Sequence, residues 1–474
     1  MQLRSVVLRF SCLPLLLAVC LLFQSNVVSA QTTQDEVNPP GDIGSQIRFK
    51  VEKYKLSNGL TVLLHEDHTV PLISYQTWFR VGSKNEQPGL TGLAHLFEHM
   101  MFRGAKRYSG EQLDTMLQAN GATNNAFTTN DYTGYYENLP SSKLELVIDI
   151  ESDRMENLKI NAENLTAELA VVKEERRMRV DNNPMGMLRE SLFGTAFRVH
   201  PYKWPVIGYM TDLDHVNVEN AQAFHKTFYS PNNAIVVVAG DFDSGQAKKL
   251  IEKYYGGIPM QTLPTATRLM EPALSAARTQ FLSKPVQSIQ FVVSYQTPKN
   301  GEDDTYALDL LSNIMGSGDS SRLHQRLVYK DQIASNVSVY NQTLQEAGLF
   351  QIYVSLKPGQ DFGKAQRAVL GEIWRPRNID VSDVDLQKAK NQVMKGYVDG
   401  LKTIHGRAEA LALNETLYGD YEMLFKDLDR YNKVTKAQIR KAAMKYLAPE
   451  KVTLVVLRPE HVSKAKTKAK KGKA

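Results

Sequence analysis

Two histidines and a glutamate lie close together in an otherwise apolar segment of the chain. The segment reads AHLFEHMMF, and its polar members are His95, Glu98 and His99. In a helix these three side chains fall within an arc of about 100°. Two imidazoles four residues apart can bind one ion, and the glutamate between them can act on whatever that ion binds. The HxxEH pattern therefore predicts a helical zinc site, and a pair of satisfied core histidines is the alternative.

A catalytic zinc site needs a third protein ligand and keeps one position open for water. The best candidates lie in LTAELAVVKEERRMRV, where Glu168 and Glu175 are seven residues apart. Seven residues turn a helix by about 700°, so these two carboxylates lie on one face within about 20°. Glu174 points about 100° away from them. A solvated, charged helix face is the alternative interpretation of the pair.

The N-terminus has the pattern of a secretory signal peptide. Arg4 and Arg9 precede an apolar core of about a dozen residues, and a Val-Ser-Ala cleavage site ends at Ala30. We therefore predict cleavage after Ala30 and export, with the periplasm of a Gram-negative bacterium as the expected location. An uncleaved anchor is the alternative, although the apolar run is shorter than the roughly 20 residues that span a bilayer.

Both cysteines of the chain, Cys12 and Cys20, lie in this leader. The mature protein therefore contains no thiol and has no disulfide framework. Any metal must be held by nitrogen and oxygen ligands, which favours a His/His/carboxylate site over a cysteine site.

The net charge of +6 is concentrated at the C-terminus. The segment SKAKTKAKKGKA contains six lysines, which equal the whole excess of positive charge: Lys464, Lys466, Lys468, Lys470, Lys471 and Lys473. The rest of the chain is near neutral, so we expect no nucleic-acid partner. We predict a solvated, disordered tail, and contact of this tail with anionic lipid or another polyanion is the alternative.

The chain also contains an internal duplication. VNVENAQAFHKTFYSPNNAIVVVAG, which begins at Val216, resembles VTKAQIRKAAMKYLAPEKVTLVVL, which begins at Val434. Each copy reads as a helix, a proline and a β-branched strand. Strands and helices alternate irregularly elsewhere, including two strands around an Asn58-Gly59 turn and helices at about 306–314 and 381–401. This mixture predicts an α+β fold of two homologous domains, each a largely antiparallel sheet packed with helices.

The predicted organisation follows from the duplication and from the composition of the connecting segments. It comprises a signal peptide (1–30), an N-terminal extension (31–47), a zinc-bearing domain (48–257), a Pro/Thr/Ala-rich linker (258–275), a homologous second domain (276–459) and the lysine-rich tail (460–474).

The duplicated halves, the HxxEH segment, GATNNAFTTNDYTGYY and GSGDSSRLHQRL together resemble the pitrilysin and insulinase family, in the branch of the mitochondrial processing peptidase. The resemblance implies two domains that form a clam-like half-chamber around a peptidase site with one zinc ion. It implies that His95, His99 and Glu175 bind zinc. It also implies that Glu98 is the general base and that Glu168 supports the ligands. The strand around Asn125 and Ala126 would pair with an extended peptide or an unfolded segment.

One pair of residues departs from the family. Members carry an arginine and, seven residues later, a tyrosine that stabilise the oxyanion, whereas alignment places Val328 and Ser335 there. The chain thus resembles the zinc-bearing subunit of two-subunit bacterial members, whose homologous partner supplies the pair and lacks the zinc motif. A homodimer is the other expected assembly. Nearby Arg326, Tyr329 or Tyr340 could substitute in a shifted register.

A zinc metalloendopeptidase is therefore the expected function. A non-catalytic scaffold subunit of the same fold is the competing class, and the intact motif with Glu175 argues against it.

Overall fold

The computed structural model describes residues 46–265 and 269–460. The predicted signal peptide and nearly all of the predicted extension and lysine tail lie outside these ranges. No helix within them is long and apolar enough to cross a membrane. The described residues fall within one compact unit.

Eleven strands form two sheets in the described ranges. They are β1 (Glu52–Lys55), β2 (Thr61–Glu66), β3 (Leu72–Phe79), β4 (Thr123–Thr128), β5 (Thr133–Pro140), β6 (Ala234–Gly240), β7 (Arg278–Lys284), β8 (Gln290–Thr297), β9 (Ala334–Thr343), β10 (Gly348–Leu356) and β11 (Val452–Pro459).

The helices of the first half are α1 (Leu93–Met100), α2 (Gly110–Ala119), α3 (Leu144–Asn157), α4 (Ala162–Arg176), α5 (Pro184–Ala196), α6 (Met210–Leu213), α7 (Val218–Phe228) and α8 (Ser244–Tyr255). Those of the second half are α9 (Asp303–Gly316), α10 (Arg322–His324), α11 (Phe362–Asn378), α12 (Asp383–Gly400), α13 (Ile404–Tyr418), α14 (Met423–Lys433) and α15 (Lys436–Tyr446).

The two sheets repeat one topology. The first has the order β1-β2-β6-β3-β5-β4 and the second β7-β11-β8-β10-β9. In each, one parallel pair, β2 with β6 or β7 with β11, is followed by antiparallel neighbours. The duplicated segment forms α7 and β6 in one half and α15 and β11 in the other. The α+β class and the duplication are therefore confirmed, as are the strand pair around Asn58-Gly59 and the helices now seen as α9 and α12.

The halves exchange one helix each, which the sequence did not predict. Helix α5, from the first half, packs on the second sheet through Leu192 and Phe193, which contact a cluster containing Val455. Helix α13, from the second half, packs on the first sheet through Leu411, in a cluster with Trp78. Each exchanged helix covers an apolar face of the sheet that belongs to the other half. The halves are thus two sheets within one interlocked unit.

A partly buried ionic network also joins the halves. Lys84 lies 2.9 Å from Asp131 and 3.1 Å from Glu346, which belongs to the β9–β10 turn. The Tyr202 hydroxyl donates to Asp131, and His200 Nε2 lies 3.0 Å from a Glu346 oxygen. The hydrogen bond with His200, together with the charge of Lys84, lowers the pKa of Glu346 to about 2 against the opposing effect of burial. Glu346 is therefore ionised, and its contacts are charge-assisted, throughout the neutral pH range.

The predicted linker is attached to the first half. Its Glu271 carboxylate accepts hydrogen bonds from the backbone N–H groups of Arg198, Val199 and His200. These three donors follow α5 directly. Glu271 therefore fixes its part of the linker next to the end of the exchanged helix.

Candidate active site

Helix α1 carries the HxxEH motif and is fixed by its apolar face. Leu96, Phe97 and Met100 are fully buried in the first core. Burial of side chains of this size contributes about 1.5–3 kcal/mol each. The Tyr135 hydroxyl donates to the Phe97 carbonyl at 3.0 Å, which ties the helix to β5. The remaining face presents the polar residues of the motif toward α4.

The start of α1 is held by a buried carboxylate. Glu86 accepts hydrogen bonds from the backbone N–H groups of Gly92 and Ala94, each at 2.8 Å. These backbone donors favour the ionised form of Glu86, but burial outweighs them and raises its pKa. Gly92 has φ of 96°, and an added Cβ would lie 2.7 Å from the Ile207 carbonyl oxygen, so only glycine suits this turn. The first turn of the motif helix is therefore rigidly placed.

Helix α4 brings the third candidate ligand to the two histidines. A Glu175 carboxylate oxygen, Oε2, lies 3.5 Å from His95 Nε2 and 3.2 Å from His99 Nε2. One potential ligand atom from each residue lies within 4.8 Å of the other two. Among the described residues, no other group of three or more His, Cys, Asp or Glu side chains could hold a metal ion.

The chemistry of this cluster fits zinc. Glu175 Oε2 is buried and has no hydrogen-bond partner, although two imidazole nitrogens face it. Two imidazoles and one carboxylate form a three-ligand set typical of catalytic zinc sites. His95, His99 and Glu175 would hold the ion, and they are the set that the family resemblance implies.

Glu168 has a different position from Glu175. Its Oε1 atom lies 2.9 Å from His99 Nδ1, and its other oxygen accepts a hydrogen bond from Arg103. Burial opposes ionisation, but His99 and Arg103 outweigh it and lower the pKa of Glu168. Such a carboxylate fixes the tautomer and the ring orientation of a ligating histidine. The structure thus places Glu168 behind His99, where it could support that ligand as the family resemblance implies.

The two histidines differ in electrostatic environment. Burial and the neighbouring His99 lower the pKa of His95 to about 4. Burial would also lower the pKa of His99, but the hydrogen bond with Glu168 and the close approach of the Glu175 carboxylate outweigh it and raise the pKa to about 9. The two carboxylates therefore favour one positive charge between them, which suits a bound cation.

Glu98 lies beside this cluster without joining it. Its Oε2 atom is 4.0 Å from His95 Nε2, and its side chain is 18% exposed. Burial raises the pKa of Glu98, although the charge of His99 opposes the effect. A carboxylate with a raised pKa next to a metal site suits proton transfer better than it suits permanent coordination.

The predicted substrate strand is at the edge of the first sheet. In the described ranges, β4 pairs only with β5, so its other edge is open. Asn125 is exposed on this strand, and Ala126 is buried. The Asn125 side chain accepts a hydrogen bond from Ala126 N–H at 2.9 Å. Helix α1 packs next to β4, so the open edge and the His–Glu cluster are neighbours.

The five residues considered for the oxyanion do not touch the cluster. Val328 packs on the second core, and the Ser335 hydroxyl donates to the Ser355 carbonyl. Arg326 pairs with Asp331 at 2.8 Å, whereas Tyr329 and Tyr340 are exposed. None of the five forms a hydrogen bond or ion pair with His95, Glu98, His99 or Glu175 in the described part of the chain.

Three residues near the site were missed at the sequence level. Arg179 follows Glu175 by four positions, a spacing that signals helical pairing, whereas no such spacing relates Arg103 to Glu168. Arg103 contacts Glu168, and Arg179 contacts Glu175. Glu86 had no such signal, because it acts across a loop on backbone groups.

Comparison with known proteins agrees with this geometry. Residues 61–209 match the family model "Insulinase (Peptidase family M16)", and residues 215–393 match "Peptidase M16 inactive domain". The chain is 30% identical to "Zinc protease PqqE" of Helicobacter pylori, over 86% of this chain and 93% of that protein. It is 23% identical to "Uncharacterized zinc protease YmxG" of Bacillus subtilis, over 86% of this chain and 98% of that protein.

Solved structures show the same fold. A protease from Helicobacter pylori matches with a TM-score of 0.83 and 28% identity, over 87% of this chain and all of that chain. A peptidase M16 inactive domain from Pseudomonas fluorescens matches with a TM-score of 0.79 and 17% identity, over 87% of this chain and 99% of that chain. All four residues of the predicted site, His95, Glu98, His99 and Glu175, lie within the first matched segment. The chain belongs to the insulinase family of peptidases, M16.

Proposed function

We propose that this protein is a zinc metalloendopeptidase. The observation that carries the proposal is the convergence of His95, His99 and Glu175, with Glu98 next to them and outside the ligand set. The names of the curated relatives, which are zinc proteases, support it.

The residues of the site have different roles in the proposed reaction. Zinc, when bound, would supply a Lewis acid that polarises the peptide carbonyl and lowers the pKa of a nearby water. Glu98 takes the proton from the attacking water and passes it to the departing amine. The raised pKa of Glu98 helps it to hold that proton in between. Glu168 keeps the His99 ring in a fixed orientation.

The open edge of β4 suits an extended substrate. A peptide added to this edge is bound through main-chain hydrogen bonds, which depend little on the side-chain sequence of the peptide. Most backbone N–H and C=O groups of a folded protein are already hydrogen-bonded, so they are not free to pair with β4. We therefore propose that peptides and unfolded segments are the substrates.

The substrate class can be tested with one substrate protein in its unfolded and its native form. Incubation with a reduced, unfolded protein should yield new N-termini in a mass spectrum, whereas the native form of the same protein should stay intact. Equal cleavage of both forms would contradict strand addition at β4.

A second candidate function is that of a non-catalytic subunit of the same fold. The match of residues 215–393 to a model described as an inactive domain favours it. All four proposed site residues lie in the other matched segment, which argues against it. Absence of cleavage of any peptide by zinc-loaded protein, with or without a homologous partner, would favour this second function.

We also propose that the active form contains a second, homologous chain. Val328 is apolar and packed, and the short Ser335 side chain donates to a local carbonyl, so neither is available to an oxyanion. A partner that lacks the zinc motif but carries an Arg/Tyr pair would supply the donors. A homodimer is the alternative assembly.

The leader supports a proposal of export to the periplasm. Protein isolated from its native host should begin at Gln31 or within a few residues of it when its N-terminus is sequenced. An intact chain beginning at Met1 in the cytoplasm would contradict export.

A further inference from the structure

The two oxygens of Glu175 have different partners. Oε2 faces His95 Nε2 at 3.5 Å and His99 Nε2 at 3.2 Å. Oε1 lies 2.9 Å from Arg179 Nε. The carboxylate is therefore held from both sides, with only one oxygen directed at the predicted zinc position.

Arg179 has a backbone that is firmly placed. It lies in a π-helical turn, Arg177–Asp181, that continues α4 directly. Gly186 of α5 packs so closely against this turn that an added Cβ would lie 2.1 Å from the Arg179 carbonyl oxygen. Gly186 is itself fixed near the start of α5, where Asn183 accepts hydrogen bonds from Met185 N–H and Gly186 N–H. The exchanged helix thus fixes the turn from which Arg179 reaches Glu175.

We infer that Arg179 is a positioning residue, which holds Glu175 in a monodentate orientation toward zinc. The inference rests on the proposed zinc site. A carboxylate without a second partner can rotate, offer both oxygens or turn toward solvent. A guanidinium that occupies Oε1 removes these alternatives and leaves Oε2 for the ion. Partners of metal ligands typically change metal affinity by about 10- to 100-fold when they are removed.

The expected effect is at the low end of that range. The Arg179 side chain is 76% exposed, so water competes for its contact with Glu175. The same exposure means that its replacement should leave the core intact. We therefore expect a loss of about 10-fold in zinc affinity without a loss of folding.

The chain offers a matched control two residues earlier. Arg177 lies 2.8 Å from Glu174, and its side chain is 51% exposed. This pair has the same chemistry and nearly the same position, but Glu174 is outside the His–Glu cluster. A general effect of lost positive charge on zinc binding would appear in both arginine variants. An effect on the orientation of Glu175 would appear only in the Arg179 variant.

The test measures zinc affinity in the full chain by competition with a chromophoric chelator, together with thermal unfolding. Arg179→Gln should weaken zinc binding about 10-fold, Arg179→Lys should weaken it less, and Arg177→Gln should leave it within about twofold. Melting temperatures of all three should stay close to that of the wild type. In a Glu175→Gln background, Arg179→Gln should add little further loss, because coupled residues are not additive.

The outcomes separate this inference from the proposed function. Wild-type affinity in Arg179→Gln, or equal losses in Arg179→Gln and Arg177→Gln, would overturn the positioning role while the zinc site stands. Full additivity with Glu175→Gln would overturn it as well. Absence of zinc binding by the wild-type chain would overturn the proposed function, and the positioning role with it.

Discussion

Replacement of Glu98 by Gln is expected to lower the rate of peptide hydrolysis by about 10²- to 10⁴-fold, while one zinc ion per chain remains bound. Gln has the same shape as Glu, so the packing around a side chain that is 18% exposed should be kept. It cannot accept the proton of the attacking water. Glu98 lies 4.0 Å from His95 Nε2 and outside the three-ligand group, so its loss should leave the ligands in place.

Metal content measured on the purified variant is the control for this prediction. Glu175→Gln should behave in the opposite way and weaken zinc binding itself, because the neutral amide is a poor ligand. Glu163→Gln, on the first turn of α4 and away from the site, should change neither property. Loss of zinc from Glu98→Gln, with retention by Glu175→Gln, would show that the two roles are reversed.

Addition of the homologous partner is expected to raise hydrolysis at least ~10²-fold over the isolated chain. Hydrolysis requires hydrogen-bond donors directed at the tetrahedral oxygen, and loss of one donor typically costs about 2.7–4 kcal/mol. Val328 and Ser335 cannot provide such donors, and Arg326 is paired with Asp331. The rate of cleavage of a quenched fluorescent peptide, with and without the partner, measures the effect.

Two variants sharpen this experiment. The partner should fail to activate Glu98→Gln, because the reaction takes place at the zinc of this chain. Val328→Arg combined with Ser335→Tyr should restore part of the activity of the isolated chain. Full activity of the wild-type chain alone, with no stimulation by any homologous subunit, would show that the oxyanion donors come from within.

The convergence of the predicted site residues follows largely from local geometry. His95, Glu98 and His99 share one helix, and Glu168 and Glu175 share another, so helical periodicity alone orders each set of side chains. Periodicity could not decide which of the two glutamates is the ligand. In the structure, Glu175 lies next to the Nε2 atoms of both histidines, whereas Glu168 contacts His99 Nδ1. Which glutamate faces the Nε2 atoms depends on how the two helices cross.

The features that were missed depend on long-range contacts. An apolar helix face predicts burial, but it does not say which sheet covers it, so the exchange of α5 and α13 was not foreseen. Glu86 holds the start of α1 through backbone N–H groups, which every residue type carries except proline. The duplication was visible because the same helix, proline and strand recur at similar spacing.

The most direct test of zinc-dependent peptide hydrolysis is a titration of zinc into metal-free protein, with bound zinc and peptide cleavage measured on the same samples. We expect no cleavage without zinc and a rate that rises in proportion to bound metal up to one zinc per chain. Replacement of His95 and His99 together by Ala should abolish this binding. Cleavage that persists in the metal-free protein, or zinc that binds the double variant as tightly as the wild type, would contradict zinc-dependent hydrolysis at this site.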